Sequence, residues 1–383
     1  MTLAALARLS IGLILVLAAP GASGTTFMGL GHLPSGTNGT AASVSGDGSV
    51  VAGSDSVSGS FNAFRWTEAT GLVALGDLGG PYQYSSAAAV SADGTTIVGQ
   101  SDTESTTEAY VWTAGGGMVA LGSLDGGQTY SAARAVSADG STIVGVSDSA
   151  AGLQAMRWTA TGGMVGLGDL AGGDFESSAA GVSGDGTRVV GTGQSALGTS
   201  ASTDEAFLWT EATGMVGLGD LPGGFIQSEA FEISLDGSAV VGGSWSASGY
   251  EAFLWTETAG MIGLGDLPGD TFWSQALGVS ARGEFVVGRA ESSSLLFSEA
   301  FVWDTDHGMR NLEDILTDFG IDLTDWQLNA AYDISADGLT IVGTGLHNGV
   351  REGWIAVIPE PSTGTLMILG LIMLRVSTRL IRG

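Results

Sequence analysis

Three tryptophans, Trp245, Trp273 and Trp326, stand outside an otherwise periodic pattern of aromatic residues. Flat aromatic faces stack on sugar rings and anchor protein interfaces; the plainer reading is that these three pack over loop bases. Arg134, Glu232 and Asp333, charged residues within short apolar segments, join them as candidate ligand contacts. Glu313, Asp314, Asp318, Asp322 and Asp325 crowd a single stretch. Hard cations such as calcium take carboxylate oxygens, which makes Asp318, Asp322 and Asp325 weak metal candidates, although their spacing fits no standard cation loop. Covalent and acid–base chemistry is poorly supplied. Cysteine is absent, and the three histidines, His32, His307 and His347, are not spaced to share a metal. Serine is so abundant that a Ser, His, Asp grouping is expected by chance. Carboxylate pairs could serve glycoside hydrolysis, but sequence does not measure their separation. No catalytic residue is assigned and no cofactor is expected.

The charge balance narrows the partners. All twelve basic residues are Arg, and residues 25–361 hold eight of them against forty acids, a net of −32. Nucleic acid is excluded, because its recognition needs clustered cations that displace counterions. Sixty-four glycines, 44% hydrophobic and only 14% charged residues suit short packed strands and many turns, not long amphipathic helices.

The elements that would position these residues come from an internal repeat. Ser-x-Asp-Gly occurs at Ser45, Ser91, Ser137, Ser183, Ser234 and Ser335, with Ser280-Ala281-Arg282-Gly283 as an altered seventh copy. An apolar pair and a second Gly follow (Gly53, Gly99, Gly145, Gly191, Gly242, Gly288, Gly343), then a Trp (Trp66, Trp112, Trp158, Trp209, Trp255, Trp303, Trp354), then a segment such as Met164-Val165-Gly166-Leu167-Gly168-Asp169-Leu170. Each unit reads as four strands, in the third copy Ser131–Val136, Thr142–Ser147, Gln154–Thr159 and Met164–Gly168. Asp-Gly between apolar runs marks a tight hairpin, because Gly accepts positive φ and Ser two positions earlier can bond the turn. The second Gly implies a bulge or a close strand approach.

A unit of 46 to 55 residues matches a propeller blade, and the expected fold is an all-β, seven-bladed β-propeller. A β-helix is the rival. Phe27-Met28-Gly29-Leu30-Gly31 looks like a fourth strand with no unit before it, while Trp354 lies in a third strand with no fourth after it. Pairing 26–31 with 352–357 would close the ring and remove a sheet edge. Ala41, Ala87, Ala133, Ala179, Ala230, Ala276 and Ala331 recur in the first strand, as expected where seven strands crowd at a hub. The seven repeated tryptophans are expected in the core.

Length varies only in some connections. Gly to Trp spans thirteen residues in four units but eighteen, fifteen and eleven in the fourth, sixth and seventh, and the connection into the last unit is longer by about seven. In an antiparallel meander these connections emerge on one side of the disc, where binding would reside. Trp245 is expected in a loop between second and third strands, and Trp273 and Trp326 in connections between blades.

The termini read as addresses. Residues 1–24 carry Arg8, an apolar run from Leu9 to Ala19 and a small-residue end, the pattern of a secretory signal peptide. Residues 358–383 contain Pro359-Glu360-Pro361, an apolar stretch from Thr365 to Leu374, then Arg375, Arg379 and Arg382. This segment resembles the PEP-CTERM sorting signal. The resemblance implies an exosortase-type partner and a Gram-negative-type envelope or extracellular-matrix location. An apolar run before cations also implies transient membrane contact, as a transmembrane helix or a plain anchor. Between the ends lies the propeller domain, residues 25–357; within it residues 27–357, with Glu-Ala-Phe-x-Trp at Glu205, Glu251 and Glu299, resemble HAF-type bacterial extracellular repeats, with Glu in place of the family's His. That resemblance implies an exported repeat protein and no catalytic residue. The reading is an exported binding or scaffold module for polysaccharide or a matrix protein. A polysaccharide lyase or glycosidase, and a purely structural surface protein, are the alternatives.

Overall fold

The computed structural model describes residues 24–127, 129–196, 203–291 and 298–358. Thr25–Ile358 forms one compact unit of seven four-stranded antiparallel sheets arranged as a β-propeller. Six blades are continuous in sequence. The inner strands of blades one to seven are Gly36–Val44, Ser85–Val90, Ser131–Val136, Gly172–Val182, Gly223–Ile233, Ser274–Val279 and Trp326–Ile334. The seventh blade takes its outer strand, Thr26–Gly29, from the other end of the chain, pairing Thr26 with Val357 and Gly29 with Trp354. The ring is therefore closed as the two incomplete ends of the repeat require.

The repeated residues each have a mechanical task. In the third blade Ser137 Oγ donates to Asp139 Oδ1 at 2.9 Å and accepts from Thr142 N at 3.0 Å, while Asp139 Oδ1 accepts from Ser141 N. Gly140 at φ 76° turns the chain. The x residues do more than fill space, because their backbone groups tie neighbouring blades together. Gly46 N donates to Ala92 O, Asp93 N to Ala138 O, Ala138 N to Gly184 O, Gly184 N to Leu235 O, Asp236 N to Ala281 O, Ala281 N to Ala336 O and Ala336 N to Gly46 O. A main-chain girdle thus runs round the hub on the turn face. Except for Leu235 these x residues are Gly or Ala, which lets seven backbones approach.

The second Gly is required by a bulge. The inner strand shifts register between Ala133 and Ala135, and a Cβ on Gly145 would overlap the Ala132 carbonyl oxygen. Core lies between blades, not inside them: Ala135, Val144 and Ala155 of blade three pack on Ala179, Val189 and Phe207 of blade four. Inner-strand serines staple the same interface, Ser177 Oγ donating to Gly168 O and accepting from Ala155 N. The Glu of Glu-Ala-Phe caps the exit of the outer strand, Glu205 accepting from Gly219 N and Glu251 from Gly265 N. In the seventh blade Glu352 accepts from Gly31 N at 2.8 Å, so this cap also fastens the ring closure.

Three expectations change. Trp66, Trp303 and Trp354 are buried, but Trp112, Trp158, Trp209 and Trp255 are only half-buried. The deepest position is two residues earlier, occupied by Phe64, Tyr110, Met156, Phe207, Phe253 and Phe301. Strand register explains why: it is this residue that lies opposite the bulge Gly, as Phe207 lies opposite Gly191. Trp354 pairs with Gly343 and so occupies this deep position, leaving Ala356 at the Trp position. The seventh hairpin is therefore no shorter than the first three; its apparent shortening is a substitution. Finally, the long connection into blade seven contains a helix, α1 (Leu312–Asp318), capped by Asn311 Oδ1 accepting from Glu313 N and burying Leu312 and Leu316.

Among the described residues no helix is long and apolar enough to cross a membrane. The expected signal peptide, the Pro359-Glu360-Pro361 motif and the apolar C-terminal stretch lie outside the described residues.

Candidate functional site

The face opposite the turn girdle carries the connections between second and third strands and those between blades. Here the inner strands of blades four and five, Gly172–Val182 and Gly223–Ile233, run eleven residues against six in blades two, three and six. On the extension of blade five stand Phe225, Gln227 and Glu229 at alternate positions, and each meets a different partner.

Phe225, 74% exposed, sets its ring edge-on to Trp245 with centroids 5.5 Å apart. Trp245 meets Tyr250 at 5.6 Å, and Tyr250 stacks on Trp273 at 5.9 Å with 22° between planes. The placement follows from local structure. Trp245 pairs with Tyr250 across the hairpin closed by the bond from Ser246 N to Gly249 O. Trp273 bridges to Tyr250 in parallel and donates its backbone N–H to Asp266 Oδ2 at 2.8 Å. Arg289 lies 5.2 Å over the Trp273 ring and is fixed by two bonds to Gln275 Oε1. Tyr250 donates to Glu229 Oε2 at 2.7 Å. Burial, then the adjacent Glu229 carboxylate, raises this phenol far above its usual value and keeps it a donor.

Glu229 also lines a cavity of about 200 Å³ of mixed character, with Arg134, Glu176, Ser178, Gln194 and Asp204 as polar walls and Val146 and Leu153 as apolar ones. Asp204 is held from two sides, by Gln194 Nε2 at 2.6 Å and Gln227 Nε2 at 3.2 Å. Ser178 Oγ is buried without a protein hydrogen-bond partner. Arg134 is the bulge residue of its strand; the crowding of surrounding strands lowers its pKa by desolvation, while its side chain keeps contact with solvent at the cavity mouth. Glu229 thus joins the aromatic stack and the cavity into one surface.

Nearer the turn face, Glu232 and Asp333 line a second cavity of about 80 Å³ in the central channel. Asp333 accepts from Ser43 Oγ and Val44 N through Oδ2, and from Ile334 N through Oδ1. Burial raises Asp333 to about 6, and burial together with the Asp333 charge raises Glu232 to about 8.

The fold therefore sorts the expected residues. It brings Trp245, Trp273 and Arg134 to one surface and sets Glu232 and Asp333 deeper in the hub. Trp326 belongs elsewhere: it stacks on His347 at 4.5 Å and meets Phe27 edge-on at 5.0 Å, beside the ring closure. Trp245 is the last residue but one of its strand and Trp326 begins one, so neither is the loop residue that spacing implied; Trp273 does lie in a connection. Asp318, Asp322 and Asp325 are not drawn together. Asp322 accepts from Thr324 N and Oγ1 in its own turn, Asp318 faces a groove with Arg310 and Asn311, and no group of three His, Asp or Glu among the described residues could hold a metal.

Sequence reasoning missed Tyr250, Phe225, Glu229 and Asp204. For Glu229 a signal was present: the residue after the inner-strand Ser is Ser86, Ala132, Ser178, Glu229 or Gln275 in five successive blades.

No protein-family model matches the chain, and no curated protein matches it in sequence. Its structure is similar to that of an oligogalacturonate lyase from Vibrio parahaemolyticus, at 12% identity and TM-score 0.55, over 88% of this chain and 98% of that one. The propeller domain of the Trilobed protease from Pyrococcus furiosus matches at 8% identity and TM-score 0.54, over 85% and 94%. TolB from Acinetobacter baumannii matches 69% of this chain at 14% identity and TM-score 0.47, and the chain spans 63% of that protein, under two thirds of its length. The likeness to the lyase and to the protease domain shows a shared propeller fold.

Proposed function

We propose that this protein is an exported propeller that binds extracellular polysaccharide through the face built by blades three to six. The observation that carries the reading is the Phe225–Trp245–Tyr250–Trp273 stack, fixed by Glu229 and opening beside the Arg134 cavity. A rigid aromatic surface next to a few convergent polar groups is the usual composition of a site for a ligand with apolar faces and hydroxyl edges. The regular parts of the ring support it by elimination, since Ser-x-Asp-Gly, the bulge Gly and the Glu caps are all occupied in building the disc. The signal-peptide pattern and the resemblance to PEP-CTERM and HAF-type proteins support an envelope or matrix location, with an exosortase-type enzyme handling the C-terminal segment. A matrix protein in place of polysaccharide is the other outcome of the test.

The test is affinity electrophoresis of the mature protein through gels containing matrix polysaccharides, with Phe225→Ala and Trp245→Ala as variants. Retardation that both changes weaken by about tenfold, ~1.4 kcal/mol, is expected. Retardation by no polysaccharide, or retardation that neither change weakens relative to the parent protein, defeats the reading.

A further inference from the structure

Resting on that reading, we infer that the polysaccharide is uncharged and that one of its sugar rings enters the Arg134–Asp204 cavity. Charge is the first ground. Among the described residues Arg134 is the only cation lining the cavity, against the carboxylates of Glu176, Asp204 and Glu229. Residues 25–358, which form the propeller, carry eight Arg against thirty-nine acids, a net of −31. A polyanion approaching this face meets repulsion locally and at longer range. Polyanion recognition would need clustered cations, and Arg188 and Arg310 are already engaged by Glu257 and Asp304.

Hydrogen-bond chemistry is the second ground. Carboxylates accept only and guanidinium donates only, while a sugar hydroxyl does both, so a ring carrying neighbouring hydroxyls satisfies the two kinds of wall at once. Asp204 is pre-set for this by Gln194 and Gln227, and Glu229 by Tyr250. Ser178 Oγ, buried and unpartnered, adds a group able to donate or accept. Size is the third ground. About 200 Å³ lies below the several hundred that enclose a drug-sized ligand. A single ring fits, and the polymer continues outward over Trp245 and Phe225.

The experiment measures binding of the mature protein to a soluble neutral glucan, a polyuronate and a polyamino-sugar by calorimetry at about 50 and about 500 mM salt. The neutral polymer is expected to bind with an affinity that salt changes by less than about twofold, and the polyuronate to bind at least about tenfold more weakly. Asp204→Asn and Arg134→Gln are expected to weaken the neutral polymer about tenfold with an unchanged melting temperature. Preference for either charged polymer, or a steep salt dependence, overturns the inference. Neutral binding that Phe225→Ala weakens but Arg134→Gln and Asp204→Asn leave intact also overturns it, and leaves the aromatic binding face standing. Binding of none of the three polymers overturns the functional reading itself.

Discussion

Tyr250 and Glu229, on different strands of blade five, are joined by a 2.7 Å hydrogen bond in which the phenol donates to a carboxylate lining the Arg134 cavity. One bond therefore orients a ring that touches both Trp245 and Trp273 and a carboxylate facing the cavity. Removing the hydroxyl with Tyr250→Phe leaves the rings in place but frees Glu229. A charge-assisted bond of this kind is worth about 1.5–3 kcal/mol, and a loss of that order is expected in urea unfolding. An unchanged midpoint would show that the bond is not formed in solution.

The deep third-strand position, not the repeated Trp, should dominate stability. Phe207→Ala, at a fully buried site facing Gly191, is expected to cost about 3–5 kcal/mol. Trp209→Ala, at a half-buried site, should cost less despite removing more atoms. Paired chemical denaturation of the two variants decides the order, and a larger loss for Trp209→Ala would contradict the packing described.

Gly145 and Gly163 separate close approach from backbone conformation. Gly163 has φ 67° and nothing near its missing Cβ, so Gly163→Ala should cost about 1 kcal/mol. A Cβ on Gly145 would collide with the inner-strand bulge, and Gly145→Ala should cost at least about 3 kcal/mol because main chain must move. Equal melting temperatures for the two variants would refute the bulge.

Ring closure makes a prediction for the N-terminal strand. Deleting residues 24–31 removes the outer strand of blade seven, the Glu352 cap partner and the Phe27 contacts to Trp326 and Trp354. The truncated protein should melt at a markedly lower temperature and expose Trp354, read by fluorescence quenching. A truncated chain as stable as the parent would mean that the ring does not depend on this strand.

The hub carboxylates set a pH dependence of definite sign. Glu232 is raised to about 8 and Asp333 to about 6, so the folded protein binds more protons than the unfolded chain between the ordinary carboxylate values and these. Stability should therefore fall as pH rises across that window. The turn aspartates act oppositely: hydrogen bonds from their own Ser or Thr neighbours lower Asp47, Asp139 and Asp185, whose contribution is complete above the ordinary value and is lost as pH falls below it. Maximum stability is expected near pH 5. Glu232→Gln should flatten the decline between about pH 5 and 8; an unchanged slope by thermal melting would remove Glu232 as its source.

The sequence by itself determined the scaffold, because scaffold requirements repeat. Six Ser-x-Asp-Gly turns with Ser280-Ala281-Arg282-Gly283 as a seventh, seven bulge glycines and two unmatched ends specify blade number, strand order and closure, since each blade solves the same local steric problem with nearly the same residues. It did not determine which side chain lies deepest. The pairing of Phe207 with Gly191, and of Trp354 with Gly343, depends on register across strands, which periodicity in one strand does not report. It did not determine the site either. Trp245, Tyr250, Glu229, Asp204 and Arg134 come from three blades and meet only because the ring curves their strands toward one hub. Trp326, equally exceptional in sequence, is carried by the same curvature to the ring closure. Only the tertiary structure decided that difference, because spacing records how far apart two residues lie along the chain and not which blades share a surface.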